Sequence, residues 1–361
     1  MLAEDRGTVP VRGITVIGDL SHPGSNSKTL RDFISSLEDA GIPWQSFNTR
    51  FKPLVPESDY RRFVTPPGEF DIRRYTHIVE MFRSPLPANP VKCRARIAFW
   101  EGEYGICEVW PYLRGADPVI AMSDFNLEYF RREFGAENVR KILYPLRPVK
   151  AAVAPRTDRR FTVLFTFDFG SFRRKNPHAA MRAFAKAFSV ERDVLLRFKT
   201  MGAKTHRREL EELRALASDL GIADRFEVIT EYLPHDELYS LTANCDVYIS
   251  LHRGEGFGIG MAEAMLFAKP VVATGWSANA EFVREGVALP VRYRMVSVRA
   301  NEYFESMREW AEADVDDAAA KLRRLYEDPQ YRAELGAKAK AFVEEHFSID
   351  RFRESVDAFL G

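Results

Sequence analysis

Short apolar runs alternate with amphipathic stretches along this chain. Gly13-Ile14-Thr15-Val16-Ile17-Gly18 opens the pattern, and Leu30, Phe33, Ile34 and Leu37 follow at helical spacing. That predicts a strand and then a helix over 27–40. Further strands are expected at 75–81, 96–100 and 118–122, after which Ser123 to Asn126 offer N-cap residues for a helix through Phe134. The stretch 145–160 holds Pro145, Pro148 and Pro155 and no apolar period, which reads as a linker. The pattern then restarts. Strands are expected at 161–167, 194–198, 226–229, 246–250 and 270–274, helices at 177–188 and 207–220, and a helix-rich tail from about 315. Alternating strands and helices predict parallel sheets covered on both faces. The expected fold class is therefore α/β, with two Rossmann-like domains, 1–150 and 151–340, facing a ligand-binding cleft.

Composition narrows the functional classes. The chain has 361 residues, 46% of them hydrophobic and 29% charged, enough for two packed cores. Lys plus Arg equals Asp plus Glu at 52 each, which gives no support for a nucleic-acid partner. Cys93, Cys107 and Cys245 show no metal-ligand spacing and suit a reducing, cytoplasmic setting. The first residues lack a signal-peptide core, and no apolar run is long enough to span a bilayer. Arg61, Arg62, Arg73 and Arg74 form a candidate basic face for peripheral contact with the inner surface of the membrane.

The most informative segment runs from Glu255 to Glu263, two carboxylates eight positions apart. Glu255 lies in a turn with Gly254, Gly256, Phe257 and Gly258. Glu263 lies in an apolar helix expected over 259–268. Glycines let the backbone approach a ligand, and a helix N-terminus carries positive partial charge suited to a diphosphate. A bare carboxylate on an apolar helix is costly to bury unless it is hydrogen-bonded, and ribose hydroxyls would do this at Glu263. Glu255 would then stand nearer the sugar ring. A second basic site is Arg174-Lys175 before Asn176, an expected N-cap, and Pro177, an expected first helical residue. On the N-terminal side the strand 96–100 ends at Trp100 and runs into a loop with Glu101 and Glu103; Glu101 is a candidate to meet the sugar or acceptor, and Trp100 to stack on a ring. Gly24, in the loop Ser21 to Asn26, is a weaker candidate to admit a phosphate or acceptor. His252 reads more readily as a packing residue than as a ligand, and Arg253 as the partner of a nearby acid. Asp314-Val315-Asp316 imitates a metal-binding pair but sits at a helix start, where acids favour the dipole. No metal site is expected.

The segment from Ser250 through Glu255 and Glu263 to Lys269-Pro270-Val271-Val272-Ala273-Thr274-Gly275 resembles the E-x7-E block of the retaining glycosyltransferases of family 4, which have the GT-B fold. The resemblance covers most of the second half well and the first half in outline. It implies that Glu263 holds the ribose, Glu255 contacts the transferred sugar, and the loop around Ser277 brings backbone amides to the diphosphate. It implies that Lys175 neutralises the leaving diphosphate. Phe169 stands where the family has a second basic residue, so Arg174 or Arg173 is expected to substitute. Trp100-Glu101 stands where many members have a histidine. The last helix, around 349–360 within a C-terminal segment 341–361, is implied to cross back to the N-terminal domain.

The expected activity is thus a metal-free, retaining transfer of a hexose from a nucleoside diphosphate sugar, UDP or GDP type, in polysaccharide or glycoconjugate synthesis. No separate cofactor is expected. The acceptor class stays open between a saccharide, a lipid-linked sugar and a small molecule. Two other classes fit the same residues: a catalytically silent sugar-nucleotide-binding partner, and a sugar-nucleotide epimerase of the same fold.

Overall fold

A computed structural model of the protein describes residues 10–81, 93–101, 113, 117–147, 153–298 and 308–361. Glu103, Cys107 and the linker positions 148–152 lie outside the described residues. The chain divides into two compact units. One comprises Met1–Phe99, Ile106–Arg147 and Phe347–Gly361, and the other Trp100–Gly105 and Pro148–His346. Two details differ from expectation. Trp100 and Glu101 group with the second unit, not the first. Positions 341–346, expected in the returning segment, instead finish the helix Pro329–His346 of the second unit.

The first unit runs β1 (Val11–Gly18), α1 (Ser25–Asp39), β2 (Trp44–Asn48), β3 (Tyr75–Met81), β4 (Cys93–Ile97), β5 (Val119–Ala121), α2 (Asp124–Phe134) and β6 (Val139–Lys141). Its sheet has the order β2-β1-β3-β4-β5-β6, parallel throughout. Ile14, Val16 and Ile17 of β1 are fully buried, as are Phe33, Ile34 and Leu37 of α1. The C-terminal helix, Ile349–Leu360, completes this core, with the Phe352 ring edge-on to Phe33 at 5.6 Å. Strand β4 begins three residues before its expected position. Its sequence alternates Arg94 and Arg96 with apolar residues, which hides it in an apolar scan. Both guanidinium groups satisfy the fully buried Glu80 of β3, at 3.0 Å from Arg94 Nη2 and 2.7 Å from Arg96 Nε. Such pairing offsets the cost of desolvating a carboxylate.

The second unit runs β7 (Phe161–Asp168), α3 (Phe172–Lys175), α4 (Pro177–Ala187), β8 (Val194–Met201), α5 (Arg207–Asp219), β9 (Phe226–Ile229), α6 (His235–Ala243), β10 (Val247–Ser250), α7 (Ile259–Leu266), β11 (Val271–Thr274), β12 (Leu289–Val291), β13 (Tyr293–Val298), β14 (Arg308–Ala313), α8 (Val315–Glu327) and α9 (Pro329–His346). Strands β12-β11-β10-β7-β8-β9 form a second parallel sheet. Its core is rich in phenylalanine, with Phe165 edge-on to Phe198 at 5.6 Å and Phe184 to Phe188 at 5.1 Å. Asp314 caps α8, its carboxylate accepting from the amides of Asp316 and Asp317. The antiparallel hairpin β13–β14 lies outside both sheets. It was not expected.

Candidate active site

The site is built where β10 and β7 end. Past Ser250 the chain turns through Leu251 to Gly258 and enters α7. Gly254 is required by packing, because a Cβ there would stand 1.9 Å from the carbonyl oxygen of Glu101. Gly258 has φ of 101°, a left-handed conformation that L side chains rarely adopt. The turn drives Glu255 inward until it is 6% exposed. Its amide donates to Ser277 Oγ at 2.8 Å.

The Glu255 carboxylate meets two cations from the loop after β7. Lys175 Nζ forms an ion pair with Oε1, and Arg174 Nη1 lies 3.6 Å from Oε2. Arg174 is itself anchored, donating to the Gly254 carbonyl at 2.9 Å and to Ser171 Oγ at 3.0 Å. Glu101 Oε1 is 3.9 Å from Arg174 Nη2. Burial alone would raise the pKa of Glu255, but the charges of Lys175 and Arg174 outweigh it and hold the carboxyl at about 2. Glu255, Lys175, Arg174 and Glu101 therefore form one cluster of alternating charge.

The other expected residues are distributed differently. Glu263 is partly exposed rather than sealed off, because Ile259, Gly260, Glu263 and Phe267 make an open stripe along α7 while Met261, Ala262, Ala264 and Met265 face the core. Gly256 is buried, and the buried Phe257 packs on Phe282 at 5.4 Å between ring centroids. Ser277 commits its hydroxyl internally, accepting from Glu255 and donating to Asn279 Oδ1 at 3.0 Å. Its φ of 76° is strained for a non-glycine residue, so a specific turn is being held. Arg173 is exposed and turns away from Glu255 to stand over the Trp310 ring at 5.9 Å. Phe169, in the position of the missing basic residue, is a core residue stacked on Phe172. Gly24 belongs to the first unit, where it precedes α1 and its amide donates to His22 Nδ1 at 2.9 Å. Asn176 stands in the N-cap position of α4, but its side chain caps nothing there.

Sequence reasoning passed over a buried polar network beneath the Glu255 turn. His252 is fully buried, with Ser250 Oγ at 3.0 Å from Nδ1 and Asn279 Oδ1 at 2.9 Å from Nε2. Its carbonyl accepts from Thr274 Oγ1 at 2.7 Å, and Asn279 Nδ2 donates to the Thr274 carbonyl at 2.8 Å. Burial pushes the His252 pKa down from 6.5 to about 4, against the pull of Glu255. The folded protein thus holds a neutral imidazole that the unfolded chain would protonate. This contributes stability above pH 6.5 that is lost as pH falls from 6.5 to 4, on the order of 3 kcal/mol. Glu255 adds its own loss only below its unfolded pKa of 4.5. Urea unfolding across pH 7 to 4 is expected to show the first loss, and His252→Asn to flatten it. An unchanged slope in that variant would mean that another group titrates.

Among the described residues no group of three or more His, Cys, Asp or Glu side chains could hold a metal ion, and no helix is long and apolar enough to cross a membrane. Comparison with known proteins bears on the rest. Residues 160–328 match the family described as Glycosyl transferases group 1. No curated protein sequence matches the chain. Among solved structures, Anabaena HepE in complex with UDP and glucose aligns with a TM-score of 0.65 at 17% identity, covering 97% of this chain and 99% of that one. Sucrose-phosphate synthase from Thermosynechococcus elongatus aligns at 0.67 and 15%, covering 97% and 98%. A glycosyltransferase from Rickettsia africae aligns at 0.67 and 12%, with the same coverage. At such identities the likeness shows the fold, which is the two-domain α/β GT-B fold. Family match and fold together support a GT-B glycosyltransferase.

Proposed function

We propose that the protein moves a hexose from a nucleoside diphosphate sugar of UDP or GDP type to an acceptor hydroxyl, with retention at the anomeric carbon. The observation that carries this reading is Glu255, a buried carboxylate in a glycine-rich turn, facing the paired cations Lys175 and Arg174. Donor binding would exchange that ion pair. The diphosphate takes Lys175 and Arg174, and Glu255 turns to the hydroxyls of the hexose. Charge that develops on the leaving diphosphate is then met by positive groups already in place. Glu263, on the open stripe of α7, receives the ribose hydroxyls in the manner of an E-x7-E block of family 4. Same-face attack lets the departing phosphate oxygen take the acceptor proton, so no protein nucleophile is needed. Glu101 stands by Arg174 and would meet the sugar or the acceptor. Because side chains supply the positive charge, the transfer is metal-independent.

The acceptor is a saccharide, lipid-linked sugar or small molecule, in cytoplasmic polysaccharide or glycoconjugate synthesis. HepE was solved with UDP and glucose, and TarM of S. aureus with UDP and a saccharide. Both support a uridine donor. Phe51, 93% exposed, and Leu54 lie in the chain just before Arg61 and Arg62, a composition that suits peripheral contact with an anionic membrane surface.

The test is incubation of UDP-, GDP-, ADP- and dTDP-hexoses with a panel of saccharide, lipid-linked and small-molecule acceptors, with and without a chelator, followed by NMR of the glycoside product. The expected result is nucleoside diphosphate release and a retained anomeric configuration at equal rates in both arms. Thermal shift with the free nucleotides adds a binding readout. Absence of turnover and of any shift with all four donors would sink the reading. An inverted product would sink its stereochemistry, and loss of turnover with chelator its metal independence.

A further inference from the structure

The hairpin β13–β14 reaches the loops of the charged cluster through the carboxylate of Glu312. Glu312 of β14 accepts from Arg253 Nε at 2.6 Å through Oε2 and from Asn176 Nδ2 at 3.3 Å through Oε1. Arg253 directly precedes Gly254 and Glu255, and Asn176 directly follows Lys175. The carboxylate therefore bridges the two loops that carry the two halves of the Lys175–Glu255 pair. The remaining bonds of Arg253 point the same way. Its amide donates to the Arg174 carbonyl at 2.7 Å, its Nη1 donates to the Arg173 carbonyl at 2.5 Å, and its carbonyl accepts from the Ala311 amide at 2.9 Å. Trp310, 4% exposed, closes the arrangement, with the Arg253 guanidinium 5.4 Å from its ring centre. Asn176 holds φ of 52°, the left-handed conformation, with its side chain spent on Glu312 instead of on capping α4.

An exposed ion pair contributes little. This one is mostly shielded, with side-chain exposures of 22% and 27%, and it belongs to a network with four further hydrogen bonds. Such networks over-determine a backbone that would otherwise relax. We propose that Glu312 is a positioning residue for the transfer step, which sets the spacing of Lys175 and Glu255 through Asn176 on one side and Arg253 on the other. Its action runs through these two partners. The inference rests on the assignment of Lys175 and Glu255 to that step.

Glu312→Ala is expected to lower kcat by about tenfold to a hundredfold, the scale of a displaced catalytic group. Donor KM is expected to stay within about threefold, because the ribose contact is not moved. Glu312→Gln is expected to recover most of kcat, since an amide can accept from Arg253 and donate to a flipped Asn176. Asn176→Gly keeps the left-handed backbone, removes the other end of the bridge, and is expected to lower kcat likewise. Met295→Ala, on the exposed side of the hairpin, is expected to leave turnover unchanged. A kcat for Glu312→Ala within twofold of the parent overturns the proposal. So does a Gln variant no better than the Ala variant, or a fall in kcat that only follows loss of folded protein. A readout without substrate separates this from the functional reading. In thermal unfolding, Glu312→Ala and Lys175→Ala are expected to be non-additive by about 2 °C or more, and strict additivity overturns the bridge. If the parent transfers no sugar, the functional reading has failed, and the unfolding cycle still decides whether Glu312 sets the pair.

Discussion

Lys175→Ala is expected to lower kcat by about a hundredfold to a thousandfold, the scale seen when one preorganised group is taken from a developing charge. The Lys175 ammonium lies against the Glu255 carboxylate, whose pKa it and Arg174 hold at about 2. Removing it leaves the buried Glu255 with a single guanidinium 3.6 Å away, so the variant loses stability as well as rate. Lys175→Arg is not an equivalent, because a planar fork replaces a point charge at a closely packed position. Glu255→Ala separates the two effects, since it removes the anion and leaves both cations for the diphosphate. Its donor affinity is expected to hold while its kcat falls. The check is steady-state kinetics at saturating donor, with unfolding curves on the same preparations. Transfer by Lys175→Ala within threefold of the parent would show that the leaving group is neutralised elsewhere.

Gly254→Ala is expected to be nearly as damaging, for a steric reason. The new methyl would stand 1.9 Å from the Glu101 carbonyl oxygen and 3.3 Å from the Trp276 ring. Backbone has to move, because neither neighbour on the close side is the end of a flexible side chain. Overpacking of this kind costs roughly 1–3 kcal/mol. The displacement falls on the residue next to Glu255 and on the carbonyl that anchors Arg174, and a misplacement of about 1 Å there costs on the order of a hundredfold in rate. A melting curve and a turnover measurement decide it together. Parental values in both would mean that the Glu101 carbonyl does not pack where the structure has it.

Much of the second unit was legible in the sequence because strands such as Val247–Ser250 and Val271–Thr274 are short, wholly buried and mostly apolar runs. The strand Phe226–Ile229 and the helix starts at Pro177 and Arg207 fall where the pattern predicts them. Strand β4 was expected three residues too late because Arg94 and Arg96, paired with Glu80, interrupt the apolar pattern at its start. The hairpin escaped for a related reason. Tyr293 and Met295 are exposed and only Val298 of β13 is buried, so β13 has little buried face to read. The glycine turn and its two glutamates could be identified, as could Lys175. The choice between Arg173 and Arg174 could not, since adjacent residues on one helical turn point in different directions and only packing against Trp310 separates them. Arg253 could be expected to find an acid. Its partner lies 59 residues further on, across a hairpin whose register no local pattern specifies.

The first unit is assembled from pieces at both ends of the chain, with Phe352 completing the core around Phe33. On the ribosome this imposes an order. The described strands of the second unit are all made before the helix Ile349–Leu360, while the earlier-made portion waits, one wall open, for that helix to emerge. Loss of that late-made helix would thus injure the part of the molecule made first.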